Sequence, residues 1–338
     1  MAGVSVDLVD WHCIHLDQGY EAFHRNDFET ALVEFDMALA IDERPMARWD
    51  RANVLLALGR WREGFKDWRT NWQLFNAEIT ERGRRLYFDQ HRPRWKGEPG
   101  ARVTILGEAG FGDMIQMLRF VPLARERADI ELDLPPPMWA FGRQLAPLAI
   151  DDECDCICPM FDLMPALGID DIPPPPYLAA PIGGNWSGFT KRRKIGICWS
   201  TKMDESVSGH PNARRPIPLD QFLALLNPPP DCELWSLQTQ ERKEAMAKGI
   251  HAPRYQDFAD VAAVAIQCDT IVSIDSAALH VAGAIAHRNV FGILPFAATW
   301  RWLGRSAESA ETPWYPGIKL CKQTSPGDWA SAFAKVKL

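Results

Sequence analysis

The apolar positions of the first eighty residues fall into helical stretches that come round twice. Laying LDQGYEAFHRNDFETALVEFDMALAID over WDRANVLLALGRWREGFKDWRTNWQLF places Gly19 over Ala52, Ala31 over Gly64 and Phe35 over Trp68, each pair 33 positions apart. Small residues where two helices cross, with a bulky one at the next turn, are what a packed helix pair needs. Past residue 100 the pattern changes. RVTIL (102–106), IELDL (130–134) and CDCIC (154–158) read as short buried strands, with helical MIQMLRFVPLARE and MWAFGRQLAPL between them. A second run comes after them: strand KIGICWS (194–200), helix PLDQFLALL, strand CELWSLQ (232–238), helix VAAVAIQC, strand TIVSID (270–275), helix AALHVAGAIA and strand NVFGIL (289–294). Strand and helix alternating at this spacing predict two parallel sheets.

The prolines of DIPPPPYLAAP and the glycines of IGGNWSGFTKRRK separate the two runs and place a domain boundary near 180–193. A chain of 338 residues exceeds what one core usually organises. The pattern divides it into helical repeats over 10–90, a first α/β domain over 95–182 and a second over 190–338. Doubly wound sheets bind ligands beyond the carboxyl ends of their strands, so a cleft is expected where two such ends face each other.

With 47% apolar and 24% charged residues the composition is that of an ordinary soluble fold. A formal charge of −7 argues against a nucleic-acid partner, which would need a basic face to replace phosphate counterions. No stretch has the charged start and apolar run of a signal peptide, and none approaches the roughly 20 apolar residues that span a bilayer. A cytoplasmic location without membrane insertion is therefore expected. The eight cysteines are scattered apart from CDCIC, where alternation puts Cys154, Cys156 and Cys158 on one face of a strand. Buried thiols are the expected account, a metal or redox site the alternative. No second cluster has zinc-ligand spacing, and the acidic DDE at 151–153 reads as a solvated turn, so no metal site is expected.

Candidate chemistry gathers at two strand ends. In ILGEAGFGDMIQMLRF, Gly107, Gly110 and Gly112 come after the first predicted strand, and a glycine loop feeding a helix N-terminus favours an anion. Yet the helix mouth carries Asp113. Asp113 and Gln116 have the D-x-x-Q spacing of a capping box, which needs nothing beyond a helix start. The glycines also keep bulk away, leaving the carboxylate able to meet an acceptor hydroxyl as a general base. In VSIDSAALHVAGA, Ser273, Asp275 and Ser276 end a buried strand, and the next helix presents the amides of Ser276, Ala277 and Ala278. Small side chains there admit a diphosphate, and His280 can donate to the same anion. Plain capping explains Asp275 and Ser276 equally well.

Arg214 and Arg215, in NARRPIPL, can pair with phosphate oxygens across the cleft mouth or form a surface charge pair. Ser200, Thr201 and Lys202 close the GICWS strand on the same side. Of fourteen tryptophans, Trp300, Trp302 and Trp314, with Tyr315, are placed near the rim. Aromatic faces there can stack on a base or a sugar, core packing being the other explanation.

Taken in order, WKGEPGARVTILGEAGFGDMIQMLRFVPLAR, PPPPYLAAP, KIGICWS, ARRPIPL, LWSLQ, VSIDSAALHVAGAIAHRNVFGILPFAATWRWL and TPWYPGIKLCKQTSPGDWA resemble segments of bacterial tetratricopeptide-repeat glycosyltransferases. These are relatives of the heptosyltransferase-type family (glycosyltransferase family 9-like) and, more distantly, of the O-GlcNAc transferases. The helical repeats resemble tetratricopeptide units, at 33 instead of 34 residues and without the usual closing proline. The resemblance implies an α/β protein of GT-B fold: two Rossmann-like parallel-sheet domains facing a cleft, preceded by a small all-α repeat segment. It implies inverting transfer from a nucleotide-sugar donor to an acceptor hydroxyl on a protein bound through the repeats. The donor is then a substrate, with no obligatory cofactor or metal.

The family's G-D-x-I element falls on Gly112, Asp113 and Ile115. Asp113 is then the base, and Gly110, Phe111, Gly112 and Gln116 form the acceptor loop. D-[ST]-x-x-x-H falls on Asp275, Ser276 and His280, bracketing Ala277 and Ala278. The family's basic residue after the first C-terminal strand falls on Arg215, and Ser200, Lys202, Arg214 and Gln238 complete the implied donor set. The chain departs at Ala109, where glutamine is common, and at Ala277, where glycine is usual and leaves a phosphate more room. Two other functions stay open: a non-catalytic adaptor with a vestigial nucleotide cleft, and a GT-B-like sugar-nucleotide epimerase.

Overall fold

The computed structural model describes residues 10–70, 79–181, 190–201, 215–303 and 309–338. The chain begins with α1 (Trp11–His24), α2 (Phe28–Ile41), α3 (Pro45–Ala57) and α4 (Trp61–Trp68). The Asp10 and Asp27 side chains cap α1 and α2, and Pro45 opens α3 where its missing N–H costs nothing. A Cβ on Gly19 would stand 2.7 Å from the Phe35 ring, and one on Gly64 2.7 Å from Leu56. The small positions of the repeat are thus where each helical hairpin closes.

β1 (Arg102–Leu106), β2 (Asp129–Asp133) and β3 (Cys156–Pro159) form a parallel sheet in the order β2-β1-β3. β4 (Arg193–Cys198), β5 (Cys232–Ser236), β6 (Thr270–Ile274), β7 (Val290–Leu294) and β8 (Ile318–Lys322) form a second, in the order β5-β4-β6-β7-β8. Each predicted strand is present within two residues of its expected ends. The edge strand β8 is additional. The predicted helix MIQMLRFVPLARE is divided into Phe111–Met117, a 3-10 turn at Leu118–Phe120 and Val121–Arg125, because Pro122 has no N–H for a continuous ladder and is accepted only in a first turn.

Both faces of the second sheet are buried, as a parallel sheet requires. Ile195, Ile197, Val272, Ile274 and Ile293 pack on one side with Trp199, Phe222 and Phe333. On the other side Ile271 and Val290 join a core shared with the first sheet and the helical repeats. Its joint is aromatic. Phe65 and Trp68 of α4 lie 5.4 and 4.9 Å from Phe161 of the first domain, and 5.6 and 6.0 Å from Trp300 of the second. Trp314 closes on Trp61 at 5.1 Å and on Trp300 at 5.6 Å. The buried carboxylate of Asp162 adds an ionic tie, accepting from Arg69 at 3.0 Å and pairing with Arg94. Two hairpins are too few for a free-standing array, and these lean on both domains.

The expected break between the domains falls partly on 182–189, outside the described residues. The proline stretch before it is docked, not loose. Tyr177 N donates to Ala284 O at 3.1 Å, the Gln144 side chain exchanges two hydrogen bonds with the Ala179 backbone, and Pro173 O accepts from Arg119.

Candidate functional site

In each sheet the strand order reverses between the first and third strands, at β1/β3 and at β4/β6. Doubly wound sheets place their ligand crevice at such a point. The helices that succeed β1 and β6, Phe111–Met117 and Ala277–Ala284, pack against each other across the seam between the domains. Gly112 meets His280 there: a Cβ on residue 112 would lie 2.6 Å from the ring Cδ2 and 3.0 Å from Nε2. Phe111 packs on Phe258 at 5.1 Å. The two motifs singled out in the sequence therefore share one seam.

Asp113 is not the first residue of its helix. Gly110 is the N-cap, after a left-handed turn at Ala109 (φ 57°), and Asp113 Oδ2 reaches back to accept from Gly110 N at 3.1 Å. Its other oxygen accepts from Arg301 Nε of the second domain. Arg301 in turn lies 4.2 Å over the Trp300 ring. The carboxylate faces the opposite domain and is engaged there. Gln116, expected in a capping box and an acceptor loop, is instead fully buried within the helix. Among the described residues neither its amide oxygen nor its nitrogen has a partner.

At the second motif, Ser276 occupies the N-cap position in extended backbone, but its side chain does not cap. Ser276 Oγ lies 3.0 Å from Ser273 Oγ, whose own hydroxyl donates to Ile274 O at 2.8 Å. The Ser276 hydroxyl is thereby turned inward, and the first-turn amides of Ala277 and Ala278 have no side-chain acceptor from it, which is the condition for anion binding at a helix mouth. Asp275, buried, has Arg215 Nη1 at 3.6 Å. Gln238 acts as a bracket on the end of β4. Its Oε1 accepts from Trp199 N at 2.8 Å and Ser200 N at 2.6 Å, while its Nε2 donates to Glu241. Ser200 Oγ also donates to Glu241, at 3.1 Å. Lys202 and Arg214 lie outside the described residues.

His280 is 3% exposed, with Nδ1 bonded to the Tyr315 hydroxyl at 3.0 Å and its ring 4.7 Å from Trp302. Burial first, then Arg301, Arg119 and Arg215, hold it well below the ordinary imidazole range, which favours the neutral ring. Trp300, Trp302, Trp314 and Tyr315 are each no more than 2% exposed. They brace the seam from inside instead of forming a rim, because the 3-10 turn Trp300–Trp302 folds back onto α4 and His280. Gly112→Ala is a direct probe of the seam. The added methyl meets a ring fixed by Tyr315 and Trp302, so thermal or denaturant unfolding should show a loss of about 1–3 kcal/mol, the usual cost of overpacking. An unchanged midpoint would mean that the two helices separate freely.

Elsewhere, a groove of about 700 Å³ lies between Arg60, Trp61 and Glu63, the Asp170–Ile172 segment and Pro313, and no predicted site residue lines it. Cys154, Cys156 and Cys158 are buried free thiols, with Cys156 pushed up to about 11 by burial. Among the described residues no cluster of His, Cys, Asp and Glu is arranged to hold a metal ion, and no helix is long and apolar enough to cross a membrane.

These features define an α/β protein of two facing Rossmann-like parallel sheets with a helical segment ahead of them, the GT-B arrangement. No protein-family model matches the chain. It is 23% identical over 393 aligned positions to Protein FlbA of Caulobacter vibrioides, covering 97% of this chain and 61% of that protein's length. Among solved structures it is similar to a mutant O-GlcNAc transferase of Thermobaculum terrenum, with 11% identity and a TM-score of 0.28 over 96% of this chain and 82% of that one.

Proposed function

We infer that the protein is a glycosyltransferase, moving a sugar from a nucleotide-sugar donor to an acceptor hydroxyl with inversion and without an obligatory metal. The observation that carries this is the helix mouth at Ser276: it sits at a switch point, lacks a side-chain cap and is flanked by Arg215. The donor diphosphate would bind the first-turn amides there, with Arg215 exchanging Asp275 for phosphate. Asp113 would take the acceptor proton after releasing Arg301, whose charge then serves the leaving diphosphate. The helical repeats would present a protein acceptor, in a bacterial cytoplasm. Gln238 and Ser200 contribute by shaping the end of β4.

One observation favours the adaptor alternative, in which the nucleotide cleft is vestigial: both oxygens of Asp113 are already occupied, by Gly110 and Arg301. A thermal-shift panel of nucleoside diphosphates and nucleotide sugars separates the two. A donor site should raise the melting midpoint by roughly 3–6 °C for one base class at ligand about 100-fold above its dissociation constant. No shift across the panel would favour the adaptor. Sugar conversion by the protein with donor alone would assign an epimerase.

A further inference from the structure

We propose that Arg119 is a positioning residue that fixes the tautomer of His280, holding its Nε2–H as a donor to the ligand in the seam between the domains. Arg119 is 1% exposed, and among the described residues none of its hydrogen bonds goes to a carboxylate. Nε donates to Gln116 O at 2.9 Å, Nη1 to Pro173 O at 3.1 Å and Trp314 O at 2.8 Å, and Nη2 to the Tyr177 hydroxyl at 3.2 Å. The rings of Tyr177, Tyr315 and Trp314 stack around the guanidinium at 4.6, 4.8 and 5.2 Å. Burying an arginine among carbonyls and aromatic faces is a costly way to secure packing alone, because a charge is far cheaper to bury beside an opposite one.

The buried charge orients the hydroxyls strung between it and His280. A guanidinium can only donate, so the Tyr177 oxygen accepts from Arg119 and its hydrogen is left for the Tyr315 oxygen, 3.2 Å away. Tyr315 then passes its own hydrogen to His280 Nδ1 at 3.0 Å. With Nδ1 accepting, a neutral imidazole must carry its proton on Nε2. The reverse polarity would aim the Tyr315 hydroxyl hydrogen back toward the arginine and take the Tyr177 hydrogen out of the chain. Dipoles strung beside a buried positive charge line up with their oxygens toward it. Nε2–H is therefore on the ring edge that faces Gly112, where a Cβ would stand 3.0 Å from Nε2, one helical turn from the Ser276 N-cap.

The ligand class is an oxygen acceptor of the donor, a phosphate oxygen or a sugar hydroxyl, so this half of the inference rests on the proposed function. The test uses the full chain with ¹⁵N-labelled histidine, and long-range ¹H–¹⁵N correlation to read each imidazole tautomer. The His280 signal is assigned by its loss in His280→Gln. In the native protein it should be neutral with the proton on Nε2. Tyr177→Phe keeps the ring and cuts the link to Arg119, and the Nε2–H preference should then fall from roughly tenfold to near parity, the size of one hydrogen bond. Tyr315→Phe, the second variant, should do the same. A native Nδ1–H form, or a preference unmoved in both variants, would overturn the role of Arg119. Adding the nucleoside diphosphate that scores in the binding panel should shift the Nε2–H resonance; binding without that shift would remove the donor role. If no nucleotide binds while the tautomer responds to Tyr177→Phe, the glycosyltransferase function fails and the control by Arg119 stands.

Discussion

Replacing Trp300 by alanine should lower the unfolding free energy by about 3–5 kcal/mol, the range for deleting a buried tryptophan. The ring is 2% exposed and touches Phe65 and Trp68 of the repeats, Phe161 of the first domain and Trp314 of the second. Its loss would open a cavity at the point where three segments meet, so the helical segment should also become the first target of limited proteolysis. Trp300→Phe should cost much less than the lost volume suggests, because the indole N–H has no hydrogen-bond partner among the described residues and its removal relieves an unmet donor. Trp11→Ala, at a residue 59% exposed, is the control and should change stability by no more than about 0.5 kcal/mol. Guanidinium unfolding of the three variants checks all of this. A loss below about 1 kcal/mol in Trp300→Ala would mean that the repeats do not depend on the aromatic joint.

The parts of this fold that were legible in the sequence are those set by local pattern. Strands buried on both faces leave short runs of mainly β-branched and apolar side chains such as RVTIL and TIVSI, and the helical hairpins leave Gly19 opposite Phe35. β8 was hidden because Lys319 and Lys322 interrupt its apolar positions, as an edge strand permits. The site divides in the same way. The glycine loop and the Ser276 helix were readable as strand-to-helix turns, and the structure brings them together.

Their partners were not readable. Arg301 lies 188 positions from Asp113, and Tyr315 lies 35 from His280. Both separations run far beyond one helix or strand, so only the tertiary fold makes those pairs. The tryptophans of TWRWLG illustrate the opposite error. They are expected near the cleft rim, but a 3-10 turn sends Trp300 and Trp302 inward while Arg301 turns to the seam. The proline stretch reads as a break between domains from its composition. Its docking comes from long-range bonds that composition does not reveal: Pro173 O to buried Arg119, Tyr177 N to Ala284 O, and the Ala179 backbone to Gln144.

Asp113→Asn should leave nucleotide affinity within about twofold while slowing sugar transfer by roughly 10² or more, the size expected when a general base is removed. The substitution suits the geometry. An asparagine oxygen can still accept from Gly110 N, so the helix start is kept, while the charge that faces Arg301 is lost. The two side chains are 15% and 14% exposed, so losing this partly solvated ion pair alone should cost on the order of 1 kcal/mol. Stability and chemistry therefore respond on different scales, and two measurements divide them: the melting midpoint, and release of nucleoside diphosphate from the sugar nucleotide that scores in the binding panel. A large loss of turnover with a small change in melting identifies a base that exchanges Arg301 for the acceptor hydroxyl. Turnover that survives the substitution while the midpoint falls identifies a clasp between the domains, whose carboxylate holds Arg301 in place and takes no proton.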